Sequence, residues 1–171
     1  MAPPSRCGNV PESVAVCPGT YDPVTSGHLD IITRAASIFD RVIVAVVRAP
    51  QHKKTMFTLD DRIAFIEESL GGTPNVSVEG FATLVVEFAR QRGARSIVKG
   101  LRAVSDYEAE IQMAQMNHRL GGVETLFMPT NPKWSFLSSS LVKEVARFGG
   151  EVEGLVPDHV RKRLVDRIEA R

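Results

Sequence analysis

The stretch Val42-Ile-Val-Ala-Val-Val47 decides the fold class. It is an unbroken apolar run, mostly β-branched, with no polar residue to turn toward solvent on either face. Such a run fits a strand buried on both sides, as in a parallel sheet covered by helices. Upstream, Val14-Ala-Val-Cys17 reads as a short strand, and Leu29 to Phe39 as a helix with Leu29, Ile32 and Ala36 on one face. Downstream, Thr58 and Asp61 form an acidic capping box, and Leu59, Ile63, Ile66 and Leu70 make an apolar stripe that stops at Gly71-Gly72. Val76 to Glu79 is a third strand. Leu84 to Arg92 is a helix closed by Gly93, and Ser96 to Lys99 is a fourth strand. Ser105 and Glu108 read as the capping box of a helix running to about Leu120, followed by a fifth strand, Glu124 to Met128, that ends at Pro129. Ser138 to Phe148 is helical, and Pro157 starts a last helix with Val160, Leu164 and Ile168 on one side. The order βαβαβαβαβαα predicts an α/β fold with a doubly wound, parallel five-stranded sheet and C-terminal helices.

The composition is that of one soluble globular domain. The chain has 171 residues, 43% hydrophobic and 24% charged. A domain of this size buries about 70% of the surface its unfolded chain exposes, enough for one self-sufficient core. The net charge of +1 gives no global attraction to nucleic acid or to an acidic membrane, so any anion site is local. No apolar run approaches the roughly 20 residues that span a bilayer. The two cysteines, Cys7 and Cys17, have no CxxC spacing and read as free thiols of a reducing compartment. Residues 1–13 are proline-rich and lack the apolar core of a signal peptide, which points to a loose N-terminal extension before a domain at 14–171.

In a parallel sheet of this kind ligands bind at the carboxyl ends of the strands. The loops after Cys17, Val47, Glu79, Lys99 and Met128 therefore share one rim. The first is Pro18-Gly-Thr-Tyr-Asp-Pro-Val-Thr-Ser-Gly-His28. Gly19 lets backbone approach a ligand, and Thr20 offers a hydroxyl and an N–H. Gly27 and His28 sit where the first helix begins, so a phosphate placed there meets free N–H groups, the positive end of the helix dipole and an imidazole donor. The second loop carries Lys53 and Lys54, with His52 beside them as an incidental neighbour. The fourth, Lys99-Gly100-Leu101-Arg102, brings two cations near one point. Asp106 and Glu110 follow on one helix face, either as a solvated pair or as contacts to a ribose or base. The fifth leads to Trp134-Ser-Phe-Leu-Ser-Ser-Ser140, where three consecutive serines at a helix start exceed what one cap needs. Lys143 lies one turn further in, and Trp134 and Phe136 either pack or flank a base. His118 suits a helix C-terminus and His159 an exposed position on the last helix.

Thr25-Ser-Gly-His28 resembles the TxGH signature of the nucleotidyltransferase superfamily. Leu137-Ser-Ser-Ser-Leu-Val-Lys143 is similar to its ISSTxxR signature, with Ser140 at the Thr position and Lys143 at the Arg position. Together with the segments MFTLDDR, KGLRAVSDYEAEIQMAQMN and WSFLSSSLVKEVA, the chain resembles the bacterial phosphopantetheine adenylyltransferases from about Val14 to Arg167. The resemblance implies a Rossmann-like fold and a cytoplasmic homohexamer. It also implies reversible transfer of an adenylyl group from ATP to 4′-phosphopantetheine, with Mg²⁺, giving dephospho-coenzyme A and pyrophosphate. Coenzyme A becomes a candidate feedback ligand. Residue by residue, it implies that Thr20, His28, Lys53 and Arg102 act on the phosphates, with His28 stabilising the transition state. ATP would be held by Gly19, Thr20, Tyr21, Gly27 and His28, by Gly100, Leu101, Arg102, Asp106 and Glu110, and by Trp134, Ser135, Phe136, Leu137, Ser138, Ser139 and Ser140. Thr20, Lys53, Val85 and Lys99 would line the acceptor site. Many members carry Arg where this chain has Lys99, which keeps the charge and loses bidentate geometry. No protein-built metal cage is expected, since Mg²⁺ would arrive on the ATP phosphates. Two other classes stand beside this one: another nucleotidyltransferase such as a cytidylyltransferase, and a nucleotide-binding regulator without catalysis. The near-neutral charge and the lack of a basic aromatic stripe exclude a nucleic-acid module.

Overall fold

A computed structural model describes residues 11–49 and 54–170. Cys7, His52 and Lys53 lie outside them. The described chain forms one parallel sheet with the order β3-β2-β1-β4-β5. Its strands are β1 (Val14–Gly19), β2 (Arg41–Val47), β3 (Val76–Phe81), β4 (Ser96–Leu101) and β5 (Glu124–Pro129). The helices are α1 (Ser26–Ala36), α2 (Leu59–Ser69), α3 (Val85–Gln91), α4 (Val104–Gly121), α5 (Ser139–Arg147) and α6 (Asp158–Glu169). The doubly wound reading holds element by element.

The Val42–Val47 run shows why. Val42, Val44 and Val46 point into one core with Ile31, Ile32 and Ala35 of α1, Phe65 and Ile66 of α2, Val142 of α5, and Val160 and Leu164 of α6. Ile43 and Ala45 point into a second core with Val14, Val16, Phe81, Val86 and Phe88. Alternate side chains of one strand thus feed opposite layers, and every residue from Val42 to Val46 is fully buried.

Local structure departs from the sequence expectation at three places. α1 begins at Ser26 rather than Leu29, because Thr25 caps it. α4 begins after Ala103, with no Ser105–Glu108 box. Asp106 takes the Arg102 N–H instead (3.0 Å), so the salt-bridged Arg102–Asp106 pair organises that helix start. His159 is half-buried rather than exposed: its Nε2 lies 3.1 Å from the Phe65 carbonyl on α2. At the N-terminal end, Ser13 donates its N–H and hydroxyl to Asp40, and Glu12 pairs with Arg41, so the chain is tied down before β1 begins. Cys17 is free and buried. Among the described residues no helix is long and apolar enough to cross a membrane.

Candidate active site

The strand order puts a topological switch point between β1 and β4, with β2 and β3 to one side and β5 to the other. β1 pairs with β2 over all six of its residues, but with β4 only at Ala15–Ser96 and Val16–Ile97. Beyond that point β1 and β4 no longer pair, and a cleft of about 1120 Å³ opens at the carboxyl edge. Its walls come from the first loop, from β4 and α4, and from the segment leading into α5.

His28 is the N3 residue of α1 and half of a capping box. The Thr25 N–H donates to His28 Nδ1 at 3.0 Å, and the Thr25 hydroxyl lies 3.0 Å from the same nitrogen. The His28 N–H closes the box onto Thr25 Oγ1. Since Nδ1 accepts, the ring proton sits on Nε2, and the side chain lines the cleft. Burial, then the positive charges of Arg102 and Lys99, push the His28 pKa down to about 4. The imidazole is therefore neutral at physiological pH, a hydrogen-bond donor of fixed tautomer rather than a cation or a base.

Tyr21 shapes the turn before it. It has φ 51°, uncommon for a non-glycine residue. Its hydroxyl donates to the Cys17 carbonyl (2.9 Å), and its ring meets His28 edge-on at 5.1 Å between centroids. A Cβ on Gly19 would stand 2.8 Å from that ring, so the tyrosine, as well as any ligand, requires glycine there. A Cβ on Gly27 would stand 3.3 Å from Trp134 Cβ, which lets α1 and the Pro132–Trp134 turn close together.

The opposite wall is made of ion pairs. Lys99 on β4 pairs with Glu110 on α4 at 3.0 Å. Arg102 grips Asp106 through Nε and Nη2 and donates from Nη1 to the Leu137 carbonyl at 3.1 Å. Its hydrogen bonds hold the Asp106 carboxyl below the usual range. At the start of α5, Ser138 caps Leu141 N–H, Ser139 donates to the Pro23 carbonyl (2.7 Å), and Ser140 faces the cleft. Two of the three serines thus have structural duties. Lys143 pairs with Asp22 at 2.7 Å, and Asp22 also accepts the N–H groups of Met56 and Phe57.

Of the residues expected around a nucleotide, Gly19, Thr20, Tyr21, Gly27 and His28 stand on the cleft wall. So do Gly100, Arg102, Asp106, Glu110, Trp134, Leu137, Ser138, Ser139 and Ser140, and the acceptor-site residue Lys99. Leu101, Ser135 and Phe136 stand off it. The Leu101 carbonyl takes the Thr130 N–H, Ser135 turns to the Pro132 carbonyl, and the Phe136 ring is exposed. Val85 packs against the core cluster around Phe81, Val86 and Phe88, away from the cleft wall. Lys53 lies outside the described residues, and its neighbour Lys54 is on the wall. Asp22, buried on the cleft wall, was invisible as a site residue in the sequence, and so was the burial of Arg62. The one signal for Asp22 was its place inside the quoted turn. Arg62 looks like a solvated helix residue until the fold buries it.

Among the described residues no group of three or more His, Cys, Asp and Glu gathers as a metal cage. Asp22, Asp106 and Glu110 are each paired to a cation. This donor set suits a divalent ion carried in on phosphate oxygens.

A doubly wound sheet with an ion-pair-lined switch-point cleft and a histidine at a helix N-terminus is the arrangement of a nucleotidyltransferase-type domain. In agreement, the cytidylyltransferase-like family model matches residues 16–145. Similar curated proteins are the phosphopantetheine adenylyltransferase of Frankia casuarinae, 59% identical over 90% of this chain and 97% of the relative, and that of Frankia alni, 59% identical over 90% and 96%. The phosphopantetheine adenylyltransferase of Streptomyces coelicolor is 57% identical over 92% of this chain and 98% of its own length. The chain belongs to the phosphopantetheine adenylyltransferase family, within the cytidylyltransferase-like group.

Proposed function

We propose that this chain transfers the adenylyl group of ATP reversibly to 4′-phosphopantetheine, giving dephospho-coenzyme A and pyrophosphate on the route to coenzyme A. Identity of 57–59% to adenylyltransferases over nine-tenths of the chain carries the substrate pair. The neutral, Nε2-protonated His28 at the switch-point cleft supports the chemistry.

The acceptor phosphate is itself the nucleophile, so no protein nucleophile or general base is required. An acceptor oxygen forms a bond to the α-phosphorus as the bond to the bridging oxygen breaks, and pyrophosphate leaves with the electron pair. The protein holds the two in line. The His28 Nε2–H, Thr20 and the N-terminus of α5 donate to oxygens that gain charge in the transition state. Lys99, Arg102 and the lysines at 53 and 54 supply cationic surroundings. Arg102 and Lys99 start out paired to Asp106 and Glu110, so phosphate either joins or displaces those carboxylates. Mg²⁺ would arrive on the ATP phosphates and would supply charge neutralisation there.

The cytoplasm is the compartment that fits a buried free thiol at Cys17. A homohexamer fits the exposed apolar side chains of Met113, Met116 and Leu120 along α4, which an isolated protomer would leave wet. Sedimentation equilibrium should return six protomers. Coenzyme A, which shares the pantetheine arm, is the expected feedback ligand in the same cleft.

The deciding experiment is pyrophosphate release measured with ATP or CTP against 4′-phosphopantetheine and other phosphorylated acceptors. Release confined to ATP with 4′-phosphopantetheine is expected. Preference for CTP would move the chain to a cytidylyltransferase, and nucleotide binding without release would make it a regulator.

A further inference from the structure

Arg62 is the largest fully buried side chain of the described residues, 1% exposed, yet it carries a permanent charge. It sits in the first turns of α2, beneath the cleft rather than on its wall. Its Nε donates to the Thr58 carbonyl at 3.2 Å. Nη1 donates to the carbonyls of Thr20 (2.7 Å) and Val47 (2.8 Å), and Nη2 to that of Arg48 (3.2 Å). Among the described residues all its hydrogen-bond acceptors are neutral carbonyls. The nearest buried carboxylate, Asp22, is already held by Lys143 and two N–H groups.

The hydrogen bonds of Arg62 to four carbonyls offset the cost of its burial. Taking a cation out of water costs several kcal/mol even when it is partnered, and an apolar side chain of similar volume is often as stable or more so. What the guanidinium does supply is a rigid fork that reaches two loops at once. The Thr20 carbonyl belongs to the turn that ends at His28. The Val47 and Arg48 carbonyls end β2, where the loop toward Lys54 begins. Fixing the Thr20 carbonyl fixes the peptide into Tyr21, whose φ of 51° and edge-on contact set the His28 ring. The Val47 and Arg48 carbonyls tie the same guanidinium to the carboxyl end of β2.

We propose that Arg62 is a positioning residue for adenylyl transfer. Its buried guanidinium locks the His28 turn to the carboxyl end of β2 and so sets the position at which His28 meets the reacting phosphates. The inference rests on the adenylyl-transfer reading above. Displacement of reacting groups by about 1 Å costs on the order of 10²-fold in rate.

The test compares wild type with Arg62→Met and Arg62→Lys. It uses pyrophosphate release with ATP and 4′-phosphopantetheine, calorimetric ATP titration, and thermal melts, with rates normalised to the calorimetric number of ATP sites. Arg62→Met should lose kcat by on the order of 10²-fold per ATP site while ATP Kd changes by only about threefold. Arg62→Lys should recover part of the loss, since it restores the charge and some donors without the fork. A purely structural arginine would lower Tm and the number of sites but leave kcat per site at the wild-type value, and that result overturns the proposal. If Arg62→Met does not fold, Arg62→Lys decides: wild-type kcat per site overturns the proposal, and about tenfold loss with normal stoichiometry supports it. A wild-type protein that releases no pyrophosphate overturns the adenylyl-transfer reading and this inference with it. An active wild type with an equally active Arg62→Met overturns the inference alone.

Discussion

At the scale of single residues, the site turns on the protonation of His28. Its acceptor role at Nδ1 is set by the Thr25 N–H, and its pKa near 4 is set first by burial and then by Arg102 and Lys99. Two outcomes are expected. His28→Ala should lower kcat by about 10²–10³-fold, the usual loss of one preorganised donor, while ATP affinity measured by calorimetry stays near wild type. Near-normal kcat would remove His28 from the mechanism. In ¹⁵N NMR of the free protein, His28 should appear as the Nε2–H tautomer and show no titration between pH 5.5 and 8, a window bounded by its value of about 4. The sign for stability follows. The folded value lies below the unfolded one, so the unfolded chain binds the proton more readily. His28 therefore costs nothing above about pH 7 and destabilises the fold as pH falls from about 6.5 toward 4. A midpoint near 6.5 in the NMR titration would contradict the burial argument. That the TxGH residues lie on the rim was legible, but the tautomer was not, because it depends on which nitrogen the folded backbone meets.

At the scale of elements, the α1 cap and the His28 ring are one device. Thr25→Ala should cost about 1 kcal/mol of stability and release the ring from its donor. In a protein of this size that appears as a Tm lower by about 2–4 °C, together with a lower kcat. Thr25→Ser, which keeps the hydroxyl, should hold both near wild type. Loss of stability without loss of rate would separate cap from catalysis. β4 makes a second test. A Cβ on Gly100 would come within 2.9 Å of Ile31 Cγ1 on α1. Gly100→Ala should therefore destabilise by about 1–3 kcal/mol, and less so in an Ile31→Ala background, as read from urea midpoints. Equal costs in both backgrounds would show that the close approach is not the cause. The elements themselves were readable from periodicity and caps. The Thr58–Asp61 box is present, with Asp61 Oδ2 accepting the Thr58 N–H at 3.2 Å. The Ser105–Glu108 box is not, since Arg102 claims Asp106 and the helix starts at Val104, after Ala103. A capping pattern competes with any long-range or ionic partner nearby, and a sequence does not rank the two.

At the scale of the molecule, the fold supplies a cleft with paired charges and no metal cage among the described residues. If Mg²⁺ arrives on the ATP phosphates, as proposed, chelation with EDTA should abolish pyrophosphate release while leaving the Tm of the free protein unchanged. A Tm that falls on chelation would reveal a structural ion. The βα order alone determined the parallel sheet, because an apolar β-branched strand such as Val42–Val47 is stable only with helices on both faces. It also determined the rim, and with it that the Pro18–His28 turn, Lys99, Arg102 and the serines share one edge. Only the tertiary structure decided how those groups are used. It paired Lys99 with Glu110 and Arg102 with Asp106, gave Ser138 and Ser139 to structural bonds, and packed Val85 against the core around Phe81, Val86 and Phe88. It also buried Arg62 and Asp22, which a pattern of charges along a helix or loop reads as solvated. Periodicity records which face of an element is apolar. Which charge meets which depends on side chains brought together from distant parts of the chain.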